Sequence, residues 1–466
     1  MLEQERQVER AEWLREKLRG CNDVFMTEMN VGGDSPSIVT VLYCEGMINR
    51  SVMQQIILEQ DGLNPISRMT PFVSAFLPGE DGQELFNYLF SGLLIVWEHR
   101  SDTFYAYNIS NQPGRNPEES TMELSLKGPR DGFVEQIDVN AALVRKRLRT
   151  TDLQMERYII GTASQTTILL LYMNQLADPK VVDEARSRLK NINIATLHGA
   201  AELEEIISDR SLSLFPLVDY IGRPDFVVQS LMNGRFAILV DGSPAALIAP
   251  ANLSVLIKSP EDAHLPFFYV TFERLLRMFG LLIAICLPGF WIALLAFNTD
   301  QIPLPLLATV TMSRSGLPLS SQLELFLMML MFELFREAGV RLPRPVGQTV
   351  TVVGGLIVGD AAIRAGLTSP TMLVVSAVTA VATFTLVNQS LNGTVTIIRI
   401  YIMFVSSLLG LFGFFVSFFS VLLYMCNLES FGMPYLKPVA PIRFRKLMTA
   451  LLQLPWKFRA KKGGSI

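Results

Sequence analysis

Apolar and polar positions alternate in two different ways along this chain, and the change falls near Phe272. Before it, short apolar runs are separated by charged turns and helix-period segments. After it, apolar runs lengthen and charges become isolated. The run Met278–Phe297, MFGLLIAICLPGFWIALLAF, carries no charge and is long enough to cross about 30 Å of hydrocarbon as a helix. The pattern predicts an α/β soluble head followed by an α-helical transmembrane domain of four to six helices.

Within the head one pattern occurs twice. Val39–Val52 reads VTVLYCEGMINRSV and Ile168–Val181 reads ILLLYMNQLADPKV. Leu42-Tyr43 aligns with Leu171-Tyr172, Asn49 with Asp178 and Val52 with Val181, at one constant offset. Each copy predicts an apolar strand, a turn and an amphipathic helix, over Val52–Leu58 and Val181–Leu189. Later in each copy a helix meets a glycine and then a strand, at Gly92 and Gly234, as a left-handed helix stop requires. Two duplicated α/β modules follow, with cores near Ser35–Tyr107 and Ile159–Ile257. The domain boundaries read as a helical lead over 1–30, module 1 over 31–127, a linker with a basic helix over 128–154 and module 2 over 155–262. The helical domain covers 272–430 and a basic tail 431–466. Ile238–Ile257 resembles a span in hydropathy. Its Asp241-Gly242-Ser243-Pro244 instead marks a turn between strands, and an unpaired Asp would be costly at bilayer depth.

Further apolar segments are Leu317–Phe335, Val346–Ile363, Thr371–Val387 and Val395–Tyr424. Basic residues at Arg274, Arg277 and along Lys437–Lys462 place both flanks, and so the head and tail, on the cytoplasmic side. The opening MLEQERQVERAEWLREKLRG is charged throughout, unlike a secretory leader. An even number of crossings must come from five visible segments. Either Leu317–Phe335, with Glu324 and Glu333, lies in the interface, giving four, or Val395–Tyr424 breaks near Gly410 and Gly413, giving six. Four is the preferred count.

Val346–Ile363, VGQTVTVVGGLIVGDAAI, places Gly347, Thr351, Gly355 and Gly359 on one face. Such a face, with Gly354 beside it, lets helices approach closely. It either packs helices within the chain or lines a narrow pore, with Gln348, Thr349, Thr351, Val352 and Asp360 along the path. Asp360 can pair with Arg364 one turn on. Glu324, Glu333 and Glu337 are the acidic candidates of the helical half. The linker helix carries Arg145, Lys146, Arg147 and Arg149. This is either a solvated face or a contact for anionic headgroups or a partner.

The chain has 466 residues, 50% of them hydrophobic, with formal net charge −3. Its four cysteines form no CxxC pair and its three histidines are scattered, so neither a metal site nor a cofactor is expected. No P-loop, dinucleotide fingerprint or catalytic cluster is present, so the chain is not expected to be an enzyme. Nor is nucleic acid an expected partner. A secondary transporter would usually repeat its membrane helices, whereas this chain repeats its head.

The run FELFREAGVRLPRPVGQTVTVVGGLIVGDAAIRAGLTSP, Phe332–Pro370, resembles the core signature of the GerA family of spore germination proteins. So do GPRDGFVEQIDVNAALVRKRLR, RPDFVVQSLMNGRFAILVDGSP, the SPED at Ser259–Asp262, SLLGLFGFF and SFGMPYLKPVAP. The similarity covers nearly the whole chain. It implies the A subunit of a nutrient germinant receptor in the inner membrane of the spore. Its partners would be a transporter-like B subunit, which binds nutrient, and a lipoprotein C subunit. It also implies a homo-oligomeric ring whose helices form a nutrient-gated ion channel. Two alternatives stay open: an accessory germination channel paralogue, and a non-conducting scaffold. Ser315 and Met329 stand where the family often has Glu, Asp360 where Gln is common and Val387 where Pro is usual. The two missing acids bear on cation selectivity.

Overall fold

The computed structural model describes residues 2–31, 37–49, 51–53, 71, 73–76, 82–111, 127–341, 359–439 and 452–453. Helix α1 (Leu2–Lys17) leads into β1 (Val24–Val31) and β2 (Ser37–Cys44). These are followed by β3 (Val73–Phe76), α2 (Gln83–Leu89), β4 (Leu93–Glu98) and β5 (Thr103–Asn108). The second unit repeats the plan. Its elements are α3 (Ile137–Arg147), β6 (Leu153–Ile160), β7 (Thr166–Met173), α4 (Pro179–Asn191), α5 (Ala200–Ile207), β8 (Asp219–Ile221), α6 (Pro224–Met232), β9 (Phe236–Val240) and β10 (Ala246–Ala249). The sheets are β1-β2-β4-β5-β3 and β6-β7-β9-β10-β8, so both follow one strand order. All these pairings are antiparallel.

The likeness reaches single bonds. Glu45 donates its backbone N–H to Asp23 O, and Asn174 to Asp152 O, at matching turns. Asn49 Oδ1 accepts from the N–H of Ser51 at 3.0 Å, and Asp178 Oδ1 from Lys180 at 3.1 Å. A short polar side chain starting a helix satisfies a donor that would otherwise lack a partner. Gly92 and Gly234 have φ of 86° and 77°. A Cβ at either would lie 2.5 Å from Met47 O or 2.6 Å from Leu176 O, so only glycine fits both turns. Of the first expected helix, Val52–Leu58, only its start is described. The second extends over all of α4.

One boundary of the head differs from expectation. β1 pairs along the full length of β2, so module 1 begins inside the stretch assigned to the lead. Its polar alternation, VFMTEMNV, hid a half-exposed edge strand. Ile238–Ile257 is in the head, as its turn residues predict. β9 and β10 pair antiparallel across Asp241-Gly242, then a short helix α7 (Leu253–Leu256) follows. Each sheet is covered on both faces, with α3 and α6 on one side of the second sheet and α4 and α5 on the other.

The helical half begins with α8 (Phe267–Phe297), followed by α9 (Leu304–Arg314), α10 (Ser321–Arg341), α11 (Pro370–Phe384) and α12 (Gln389–Cys426). α8 starts well before the expected Met278 and carries Arg274 and Arg277 inside it. Among the described residues two helices are long and apolar enough to cross a membrane, Phe267–Phe297 and Ser390–Cys426.

The second of these is not one rod. Gly410, at φ 65° and ψ −144°, is non-helical. Tyr401 Oη and Ser420 Oγ are 2.9 Å apart, although their spacing on a straight helix would separate them by about 28 Å. Thr394, near the start, donates to Leu214 O, and Tyr424, near the end, accepts from Leu214 N–H at 3.0 Å. α12 is therefore a hairpin whose two ends both lie against one loop of the head. Its turn meets the end of α8, where Leu411 N–H donates to Asn298 Oδ1 at 3.2 Å.

Candidate functional site

The buried charges mark where the two halves meet. After α7 the chain makes a 3-10 turn, Pro260–Ala263, opened by the Ser259 side chain. Two adjacent acids on this turn point to different halves. Glu261 pairs with Arg223, which also holds Asp225 at 2.7 Å within the head. Asp262 pairs with Arg274 at 2.8 Å and Arg277 at 3.0 Å, both on α8. Gln453 accepts from Arg274 at 2.9 Å and donates to Asp262 O at 2.6 Å. Arg274 and Arg277, expected from sequence only to set the orientation of the first span, have a structural role. They are buried and fasten the first long helix to the head. Buried charges persist only when paired and hydrogen-bonded.

Three more contacts join the halves. Asn388 caps α12 by accepting from Leu391 N–H and donates its amide to Asp219 Oδ1 at 2.7 Å. Leu214 holds both ends of the hairpin, as above. The chain then returns to the head. Ser430 Oγ donates to Leu217 O at 2.6 Å, Phe431 enters the core of the second sheet and Tyr435 is fully buried. The stretch expected as a basic tail, 431–466, thus begins with residues packed into the protein. SFGMPYLKP is a wedge: Phe431 fills that core, and Tyr435 packs in a second cluster with Phe215 and Leu217 of the head and apolar residues of α8, α11 and α12. Residues 440–451 and 454–466, which hold most of the tail's basic residues, lie outside the described residues.

The linker helix is corrected as well. Arg145 is fully buried and grips Asp23 of module 1 through two bonds of 2.7 Å. It also donates to Leu153 O of module 2 and stacks over Phe90 at 4.4 Å. Arg147 pairs with Asp131 and Arg149 donates to Ser91 Oγ at 3.1 Å. Arg145 joins module 1 to module 2 and Arg149 reaches module 1, while Arg147 pairs within the linker. Sequence cannot separate a buried arginine from a solvated one when its partner is far away in the chain. Cys21 and Cys44 lie beside this pair, and burial pushes the Cys21 thiol up to about 11 and Cys44 upward too. That makes them poor nucleophiles.

The acidic candidates have three different settings. Glu324 is fully buried. It accepts from Ser369 N–H, Ser369 Oγ at 2.6 Å and Thr368 Oγ1 at 3.1 Å, and pairs with Arg314 at 3.4 Å. Ser369 is the N-cap of α11, so this carboxylate faces a helix N-terminus, where negative charge is favoured. Glu333 pairs with Arg336 and, at 3.4 Å, with Arg399 of α12. Glu337 pairs with Arg341 on the surface. Met329 packs in an apolar cluster, and Ser315 closes α9. Asp360 pairs with Arg364 at 2.8 Å, as the spacing predicts, and both are exposed. Gly359 lies against Leu373. The other packing and pore candidates of this segment, Gly347, Gln348, Thr349, Thr351, Val352, Gly354 and Gly355, lie outside the described residues.

Together these features define a two-sheet head locked onto a helical half through buried polar joints. Comparison places that architecture in a family. A profile described as Bacillus/Clostridium GerA spore germination protein matches residues 12–464, and the chain belongs to this family. It is 39% identical over 461 residues to spore germination protein XA of Bacillus anthracis, covering 96% of this chain and 94% of that protein. It is 31% identical over 455 residues to an uncharacterized membrane protein, YfkQ, of Bacillus subtilis, covering 96% and 88%. Among solved structures, the N-terminal domain of the A subunit of the Bacillus megaterium spore germinant receptor GerK3 matches 52% of this chain and 93% of its own. The identity is 26% and the TM-score 0.38.

Proposed function

We propose that this chain is the A subunit of a nutrient germinant receptor and that its helical half oligomerises to form or gate an ion path. The observation that carries this reading is the match to spore germination proteins along nearly the whole chain. In this reading the protein sits in the inner membrane of the spore, with head and tail cytoplasmic, beside a transporter-like B subunit and a lipoprotein C subunit. The hairpin at Gly410 supports six crossings over four. The joints give nutrient sensing a route to the helices. A shift of module 2 moves Asp262, Asp219 and Leu214, and each of these holds a membrane helix directly.

Potassium release from spores carrying variants at matched protein levels tests the ion path. Gly355→Leu is expected to stop release, since a branched side chain cannot enter a close helix crossing. Thr351→Ala or Val352→Ala, by widening a pore, is expected to release potassium without nutrient. Asp360→Asn is expected to do little, because Arg364 already neutralises that exposed carboxylate. Wild-type release from all of the first three would sink the ion path and favour a non-conducting scaffold. The apolar setting of Met329, where the family often carries Glu, supports that second reading.

A further inference from the structure

Between α10 and the first arm of α12 lies a cleft of about 490 Å³, within the range of small-molecule sites. Its length is apolar, walled by Leu323, Phe326, Leu327 and Leu330 of α10 and by Ile400 and Met403 of α12. One end is polar, formed by Glu333, Thr396 and Arg399.

Arg336, which does not line the cleft, lies beside that end and gives the cluster more positive than negative charge. Arg399 is 3% exposed and donates to Thr383 Oγ1 at 3.0 Å and Thr396 Oγ1 at 3.3 Å. Its contact with Glu333 is 3.4 Å. Arg336 holds the other oxygen of the same carboxylate and donates to Thr396 Oγ1 at 3.2 Å. Two guanidiniums thus share one carboxylate. Threonine hydroxyls accept hydrogen bonds but cancel no charge. A surplus cation in apolar surroundings is costly, and one further anion would balance it.

We infer that this cleft binds one long-chain fatty-acid carboxylate, with its head on Arg399 and its chain along the apolar walls. A planar carboxylate matches the guanidinium fork, and an alkyl chain matches the apolar walls. Arg399 lies between the levels of two α8 contacts, Gly280 against Thr385 and Gly289 against Ile402. That is deeper than the start of the charge-free run at Met278, where a phosphodiester with its glycerol and second chain would be poorly accommodated. The inference stands apart from whether the chain conducts ions.

The test is equilibrium binding of radiolabelled palmitate to the purified full chain in a non-ionic detergent. We expect one palmitate per chain. Arg399→Gln should weaken it by roughly 10- to 100-fold, the loss of a charged hydrogen-bonded contact. Leu327→Trp, which fills the groove away from the charges, should abolish it. Arg157→Gln, in the head, should leave it unchanged. Should Arg399→Gln fail to fold, Leu327→Trp decides, together with competition by hexadecanol, which has the chain without the charge. Equal competition by hexadecanol overturns the proposal. So does displacement of palmitate by phosphatidylglycerol vesicles at equal chain concentration, which would make the occupant a bilayer lipid. A change of oligomer size in Leu327→Trp with palmitate binding intact would assign the groove to a second copy and also overturns it.

Discussion

Asp219 shows how one side chain can tie stability to pH. It is buried on β8 and receives a hydrogen bond from Asn388. The groups facing it are Glu204 on α5, Arg235 at the start of β9, Asn388 at the head of α12 and Tyr435 beyond the hairpin. Burial pushes the carboxyl from 3.8 up to about 6, against the pull of Arg235 and the Asn388 bond. Glu204 rises to about 7 through burial and repulsion from Asp219. The folded state therefore holds these protons more tightly than the unfolded chain. Stability contributed here is full below about pH 4, falls as pH rises toward 6 to 7, and is flat beyond. Asp219→Asn keeps an oxygen for Asn388 and cannot ionise. It is expected to raise the melting temperature of the detergent-solubilised protein at pH 7.5 and leave it unchanged at pH 4. An equal rise at both would mean that ionisation of this buried group is not the cause.

The elements differ in how plainly the sequence announces them. Strands, turns and glycine stops were legible because their signals are local. Asn49 and Asp178 each cap a helix within three residues, and Gly92 and Gly234 each close one. The Asp241-Gly242 turn likewise kept an apolar stretch in the head. The linker helix was misread in part because Arg145 looks like Lys146 until Asp23 arrives from far away in the chain. The wedge at Phe431 was missed for the same reason. Of the site candidates, the Asp360–Arg364 pair followed from helical spacing, whereas the partners of Glu324 and Glu333 come from other helices and leave no local mark. The hairpin of α12 lies between these extremes. Gly410 marks a possible break, but a glycine in an apolar helix more often serves packing, so the reversal rests on long-range contacts. It makes a sharp prediction. With Cys286 and Cys426 replaced by Ser, Tyr401→Cys with Ser420→Cys should be joined within one chain by a short bis-maleimide. A straight helix would hold them about 28 Å apart and give no such product, and mass spectrometry of the linked peptides separates the two.

Taken as one body, the protein has its head and helices fixed together at separated points rather than strung on a linker. The 3-10 turn is the most economical of these fixings, because neighbouring acids serve opposite halves. Glu261 stays with Arg223 and Asp262 reaches Arg274 and Arg277. Removing one partner of a buried pair leaves a charge uncompensated and costs about 3–5 kcal/mol. Asp262→Asn would remove the one carboxylate that Arg274 and Arg277 share, leaving Arg277 its Glu273 contact at 3.2 Å and Arg274 its Gln453 bond at 2.9 Å, while the head keeps its own Arg223 cluster. The start of α8 should then open locally without loss of the sheets. Trypsin reports this directly, since Arg274 and Arg277 are buried and protected in the folded protein. Limited digestion of Asp262→Asn should cut after these residues and release an intact head fragment, whereas Glu261→Gln should leave them protected. If both variants are cut alike, the two acids do not divide their work between the halves. If neither is cut, Asp262 does not hold α8 to the head.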